Sequence, residues 1–149
     1  MRTQEILALI RRIRHDFGNH LQIISGYTEL RRSQEVKDYI TGIVDEMTAE
    51  RIIFELASAD SALYFYKQLL LARDLGIILR YEELEIESAY LLESRNEPYK
   101  TLEFVSQKID NREDDITVYI SLYQRDGKVD MFLSCEQLED TPLSFSIRE

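Results

Sequence analysis

Between Gln4 and Arg31 no proline interrupts the chain, and apolar residues stand at Ile6, Ile10, Ile13, Phe17, Leu21, Ile24 and Tyr27. Steps of three and four residues put all seven on one stripe of a single helix about 40 Å long. The spacing is close to that of a bundle seam. Thr3 is the expected N-cap, and Arg31-Arg32 in the last turn complement the helix dipole. Ser33-Gln34 is a short break in which Ser33 can cap a second helix that starts at Glu35. There Val36, Ile40, Ile43, Met47, Phe54 and Ala57 share a face, interrupted by Glu50. So short a connection makes the two helices antiparallel neighbours. Two helices cannot bury stripes of this length on each other alone; a second copy would complete a four-helix bundle, so the pattern predicts a homodimer.

The periodicity changes at Ser58-Ala59-Asp60. Asp60 is the expected cap of a third helix, 61–75, closed by Gly76. A strand is expected at Ile77–Leu84 and a fourth helix at about 98–110, with Pro98 in its first turn. Asn111–Asp115 reads as a charged loop. Ile116–Gln124 and Lys128–Ser134 alternate apolar and polar positions around Asp126-Gly127, a strong hairpin signal. Beyond Cys135 the chain is acidic and weakly patterned, with a last strand at Leu143–Ile147. The fold class expected is α+β: a helical hairpin over 1–58, then a small α/β domain over 59–149.

Charge sharpens this division. The chain carries a formal net charge of −10, which argues against nucleic acid as the main partner. Residues 1–34 nevertheless hold six arginines against Glu5, Asp16 and Glu29, a net +3 that leaves −13 to the remainder. A basic start on an acidic protein suits an anionic ligand or an acidic protein surface; the plainer reading is arginines solvating one helix face. No apolar run approaches the roughly 20 residues that span a bilayer, and the N-terminus lacks a signal-peptide core. The single Cys135 cannot form an intrachain disulfide and reads as a plain core or edge thiol. The expectation is a soluble, cytoplasmic protein.

Several chemistries have no support. Two histidines and one cysteine, without ligand spacing, do not make a zinc site. There is neither a Gly-x-Ser-x-Gly elbow nor a Walker loop, and the glycines at 18, 26, 42, 76 and 127 are scattered. Acidic pairs such as Glu82-Glu83 and Asp114-Asp115 read as solvated faces. The histidines remain. At roughly 100° per residue, the centre of the first helix's stripe passes near Ile6, Phe17 and Ile24. His20 lies inside the stripe and reads as a seam histidine, packed or hydrogen-bonded in the bundle. His15 points almost directly away from it.

One turn from His15 on that outer face lie Arg11, Gly18 and Asn19, with Arg12 and Gln22 at the margins and Asp16 next in sequence. A neutral imidazole nitrogen is a nucleophile, and an adjacent carboxylate can favour one tautomer or orient the ring. Arg and Asn can donate hydrogen bonds to phosphoryl oxygens. Gly18 inside a helix costs about 1 kcal/mol relative to Ala. It is either a tolerated defect or an opening through which another protein approaches His15.

The run from His15 to Gly26 (His-Asp-Phe-Gly-Asn-His-Leu-Gln-Ile-Ile-Ser-Gly) resembles the phosphohistidine helix of the sporulation initiation phosphotransferase B family. It is similar also to the related helix of citrate-type sensor histidine kinases. A weaker likeness, Ala62–Leu79, looks like the first helix and strand of the kinase ATP-binding fold. The resemblance implies a dimeric four-helix bundle and a C-terminal domain related to kinase ATPase domains but degenerate. It implies phosphorylation of His15, with Asp16 and Asn19 matching the motif as catalytic neighbours. The partners implied are receiver domains of response regulators, contacted by Arg11, Arg12, Gly18 and Gln22 from their place on the face. No cofactor of its own is implied, since the receiver would supply Mg²⁺.

Gly18 and His20 depart from the bulkier and more often basic residues common at those positions. Residues 85–149 show no convincing family motif, helix 98–110 offers no Asn-rich motif, and the chain leaves no room for a glycine-rich lid, so autokinase activity is not expected. The function expected is a phosphorelay phosphotransferase that carries a phosphoryl group on His15 between aspartates of two regulators. The alternative is a non-catalytic dimeric module that binds and sequesters regulators.

Overall fold

The computed structural model describes residues 2–109, 114–138 and 142–149. Within it the chain divides into two compact units, Met1–Ala49 and Glu50–Glu149. The division falls earlier than the 58/59 boundary read from the sequence. The tail of the second helix belongs with the later residues: Ile53 is fully buried, and Glu50 accepts a 2.8 Å charged hydrogen bond from Arg73. Glu50, which breaks the apolar pattern, therefore has a specific ion-pair partner.

The first unit is built on α1 (Thr3–Glu29) and most of α2 (Ser33–Phe54). Thr3 is already helical rather than the cap. Arg2 takes the cap position, and its backbone N–H donates to the Glu5 carboxylate at 3.2 Å, satisfying one of the orphan donors at the helix start. At the other end the helix stops two residues sooner than the arginine pair suggests. Arg31 adopts φ 57°, and the N–H groups of Arg31 and Arg32 reach back to the carbonyls of Thr28 and Tyr27. This is a Schellman closure with arginine where glycine is usual. Ser33 is the first residue of α2, not its cap, and Ala57 lies beyond the helix end.

Half-buried Ile24, Tyr27 and His20 on α1 and Tyr39 and Ile43 on α2 mark the faces the hairpin partly covers. Ile6 and Val36 are half-buried too, but much of the apolar surface is open. Ile10, Ile13, Phe17 and Leu21 on α1, and Ile40, Val44 and Met47 on α2, are between 41% and 66% exposed. One hairpin therefore does not bury its own hydrophobic pattern.

The second unit holds α3 (Ala59–Asp74), β1 (Ile77–Glu85), α4 (Tyr90–Arg95), α5 (Tyr99–Lys108), β2 (Ile116–Arg125), β3 (Lys128–Ser134) and β4 (Leu143–Arg148). The strands lie in the order β1-β2-β3-β4, with β1 and β2 parallel and the other pairs antiparallel. Alternate residues of the strands (Leu79, Val118, Ile120, Leu122, Met131 and Leu133) are buried on one face, where α3 packs on β1 and α5. Ser58, not Asp60, caps α3: its hydroxyl accepts from the Ser61 N–H at 3.2 Å. Gly76 follows the helix at φ 74°, a conformation that costs glycine little. Asp126 and Gly127 both have positive φ, as a two-residue type I′ hairpin requires.

The sequence pattern does not predict the short helix α4. It is held through its flanks: the Tyr64 hydroxyl donates to the Leu92 and Glu97 carbonyls, and the buried Gln68 amide bonds Asn96 and the Tyr99 N–H. Cys135, just after β3, is a buried thiol that donates to the Gln137 side-chain oxygen at 3.3 Å. Of the expected fourth helix, Asp110 lies outside the described residues, as do 111–113 of the charged loop and 139–141 of the acidic segment.

Candidate functional site

Because α1 is one uninterrupted helix, the side chains around His15 are set by its turn. His15 is 74% exposed. Its Nδ1 has two neighbours from the same helix: Oδ1 of Asp16 at 3.6 Å and the side-chain amide of Asn19 at 3.5 Å. Both contacts are long for hydrogen bonds, and they flank the same nitrogen. No hydrogen bond from the described residues engages Nε2. A carboxylate beside Nδ1 favours the tautomer that carries its proton there and leaves the lone pair on Nε2. Asn19 fits either tautomer, because its amide presents an oxygen or an N–H by a half-turn.

Arg12 lies one turn before Asp16, with its Nε 4.0 Å from Oδ2. The two oxygens of one carboxylate thus face different groups, one the imidazole and one the guanidinium. Arg12 and Asp16 are each only about a third exposed, whereas Arg11, Asn19 and Gln22 are exposed alongside His15. Gly18 is helical, and a Cβ built on it would meet no atom within 4 Å. Nothing in the described structure requires a glycine there.

His20 has the opposite environment. Its Nδ1 lies 2.7 Å from the Tyr39 hydroxyl on α2, and the two rings are tilted by 60° at 5.6 Å. Burial first, then the charge of Glu46 and the Tyr27 hydroxyl, raise the pKa of Tyr39, so its hydroxyl keeps the proton it can donate. The seam reading of His20 rests on this bond.

The structure therefore brings His15, Asp16 and Asn19 together, sets Arg12 behind Asp16, and leaves Arg11, Gly18 and Gln22 along the same exposed side. Two features escaped the sequence reading. The α2 stripe read from the sequence omits Tyr39, though tyrosine is amphipathic and fits a seam. The Arg12–Asp16 link is an i,i+4 pair whose spacing alone could have shown it. Among the described residues no three His, Cys, Asp or Glu side chains converge as a metal site would need, and no helix is long and apolar enough to cross a membrane.

Comparison with known proteins agrees with the helical reading. Residues 1–56 match the family model described as the alpha-helical domain of SpoOB-type sensor kinases. The match takes in α1, α2 and the whole neighbourhood of His15, and it ends before α3. No curated protein matches the chain. The likeness drawn from His15–Gly26 is thus met by an independent match over the helical segment, which links that segment to two-component signalling.

Proposed function

We propose that this chain is a phosphorelay phosphotransferase in which His15 takes a phosphoryl group from the aspartyl phosphate of one receiver domain and delivers it to an aspartate of another. The observation that carries the reading is an imidazole held out on a helix, with Asp16 and Asn19 beside one ring nitrogen and the other left open, inside the segment the family model matches. In the first step a lone pair of the neutral imidazole attacks phosphorus. An N–P bond forms, the P–O bond to the aspartate breaks, and the electron pair returns to that carboxylate. In the second step the imidazole is the leaving group.

Such transfers depend chiefly on alignment and on neutralising charge over the phosphoryl oxygens. Asn19 and Arg11 stand within a helical turn of His15 and supply donors. The receiver supplies the Mg²⁺ held by its own acidic pocket, so no resident metal is needed here. The arginines of the first helix complement an acidic receiver surface, and the absent side chain of Gly18 lets that surface approach. The working form is a homodimer, in which the exposed apolar residues of α1 and α2 are buried against a second hairpin. The α+β unit serves in this reading as a degenerate relative of kinase ATPase domains.

Incubation with a phosphorylated receiver tests this reading. Acid-labile, base-stable label on the wild type and on His20→Gln, and none on His15→Gln, is the expected outcome. Receiver binding without label in any form of the protein would instead favour a sequestering module.

A further inference from the structure

Resting on that reading, we infer that Arg12 is a positioning residue: by holding one oxygen of Asp16, it keeps the other against Nδ1 of His15 and so reserves Nε2 for the phosphoryl group. Three distances carry the argument. Arg12 Nε is 4.0 Å from Asp16 Oδ2, Asp16 Oδ1 is 3.6 Å from His15 Nδ1, and the Asn19 amide is 3.5 Å from the same Nδ1. The last two contacts compete when Asn19 offers its N–H, because an amide donor selects the tautomer with the lone pair on Nδ1, whereas a carboxylate selects the one with the proton there.

The carboxylate prevails for two reasons. At 3.6 Å the carboxylate acts on the ring as a nearby full charge rather than through a hydrogen bond, and a full charge outweighs the dipole of a neutral amide at a similar distance. Asn19 can also turn its oxygen toward an Nδ1 proton, so both neighbours then agree. An unanchored carboxylate on a helix surface turns toward water. Arg12 is placed to prevent this, since it approaches the oxygen that His15 does not use. Arg11 lies on the open His15 side, while Arg12 and Asp16 are about two-thirds covered on the flank. Arg12 thus acts through Asp16 and not on the phosphoryl group.

The chemistry follows. When Nε2 attacks phosphorus with the proton already on Nδ1, the ring becomes cationic as the N–P bond forms. Asp16 faces that developing charge, and the proton need not leave. As the phosphoryl group departs to the second aspartate, the ring returns to the same neutral tautomer. Holding the carboxylate in advance places the stabilising charge where it develops.

The test uses the full chain with ¹⁵N-labelled histidine, which contains only two such residues. Long-range proton–nitrogen correlation at alkaline pH reads the tautomer of each, with His20 and its Tyr39 contact as the internal control of folding. Wild type should show His15 mainly as the Nδ1–H form. Arg12→Gln should lower the Nδ1–H to Nε2–H ratio about two- to fivefold, the scale of an exposed i,i+4 charge pair, and slow phosphoryl transfer by a similar factor. Arg12→Lys should restore both, and Asp16→Asn should exceed Arg12→Gln in effect. An Arg12→Gln tautomer ratio equal to wild type overturns the positioning role, even if transfer is slowed. A shifted ratio in a protein that accepts no phosphoryl group supports the arrangement and overturns the carrier reading instead.

Discussion

The Tyr39 hydroxyl lies 2.7 Å from Nδ1 of His20, joining the two helices of the hairpin at the level where the first carries its second histidine. Among the described residues, His15, five positions earlier in the sequence, has ring contacts from its own helix alone. In the proposed function the two histidines of this helix divide the work, His20 structural and His15 chemical. Tyr39→Phe should cost the hairpin about 1 kcal/mol, the net worth of one such hydrogen bond. Thermal or denaturant unfolding followed by circular dichroism measures it. His20→Gln should be destabilised to a similar degree and still take up phosphoryl label at His15.

Gly18 separates stability from partner contact. Because a Cβ there meets nothing within 4 Å, Gly18→Ala should stabilise the helix by about 1 kcal/mol, roughly the difference in helix propensity. Gly18→Leu should keep the fold yet lower the rate of phosphoryl uptake about tenfold or more, by keeping the receiver away from His15 (each 1.4 kcal/mol of lost alignment being a factor of ten). Equal uptake rates in the leucine variant and the wild type would make Gly18 a tolerated defect.

The open apolar stripe predicts self-association. Leu21 is 52% and Met47 66% exposed, and burial of such a side chain contributes about 1.5–3 kcal/mol. Sedimentation should give the wild type twice the mass of one 17.6 kDa chain. Leu21→Glu or Met47→Glu should shift it to a single chain at the same concentration, with the helix content of the hairpin reduced.

Buried tyrosines of the second unit make its stability fall at alkaline pH. Burial pushes the hydroxyl of Tyr81 well up from its ordinary value, with Tyr64 adding to it; Tyr64 is itself raised by burial and then by Glu93 and Glu97. A folded-state value above the unfolded one, about 10, means the stabilisation is complete below that pH. It is lost as the pH climbs toward the folded-state value, because the unfolded chain gives up its proton first. Tyr81→Phe also loses a 3.3 Å bond to the Phe65 carbonyl and should be less stable at neutral pH by about 1 kcal/mol. Above pH about 10 its decline should be shallower than that of wild type by up to about 1.4 kcal/mol per pH unit. Urea midpoints across that range check the sign.

What could be read in advance followed from strong local signals. The 3-4 spacing of α1, the Asp126-Gly127 turn and the αL glycine after α3 are rules of backbone and periodicity that act within a few residues. Where two rival signals lay close together, the reading erred. Ser58 and Asp60 both suit a cap, and it is the Ser58 hydroxyl that accepts from the Ser61 N–H at the start of α3. The six-residue α4 carries too short a pattern to show a period, and its place is fixed by Tyr64 and Gln68 from far along the chain. The parallel pairing of β1 with β2 is likewise a long-range choice. At the candidate site, the neighbours of His15 followed from helix geometry. The sharing of the Asp16 carboxylate between His15 and Arg12 depends on side-chain rotamers, which periodicity does not specify.

The most direct test of the account is to present wild type and His15→Gln with a receiver domain carrying a labelled aspartyl phosphate, then to add a second, unphosphorylated receiver. The account predicts label on the wild type at His15, its passage to the second receiver, and neither event with His15→Gln. Label reaching the second receiver equally well through His15→Gln, or wild-type protein that binds phosphorylated receivers and never becomes labelled, would contradict it.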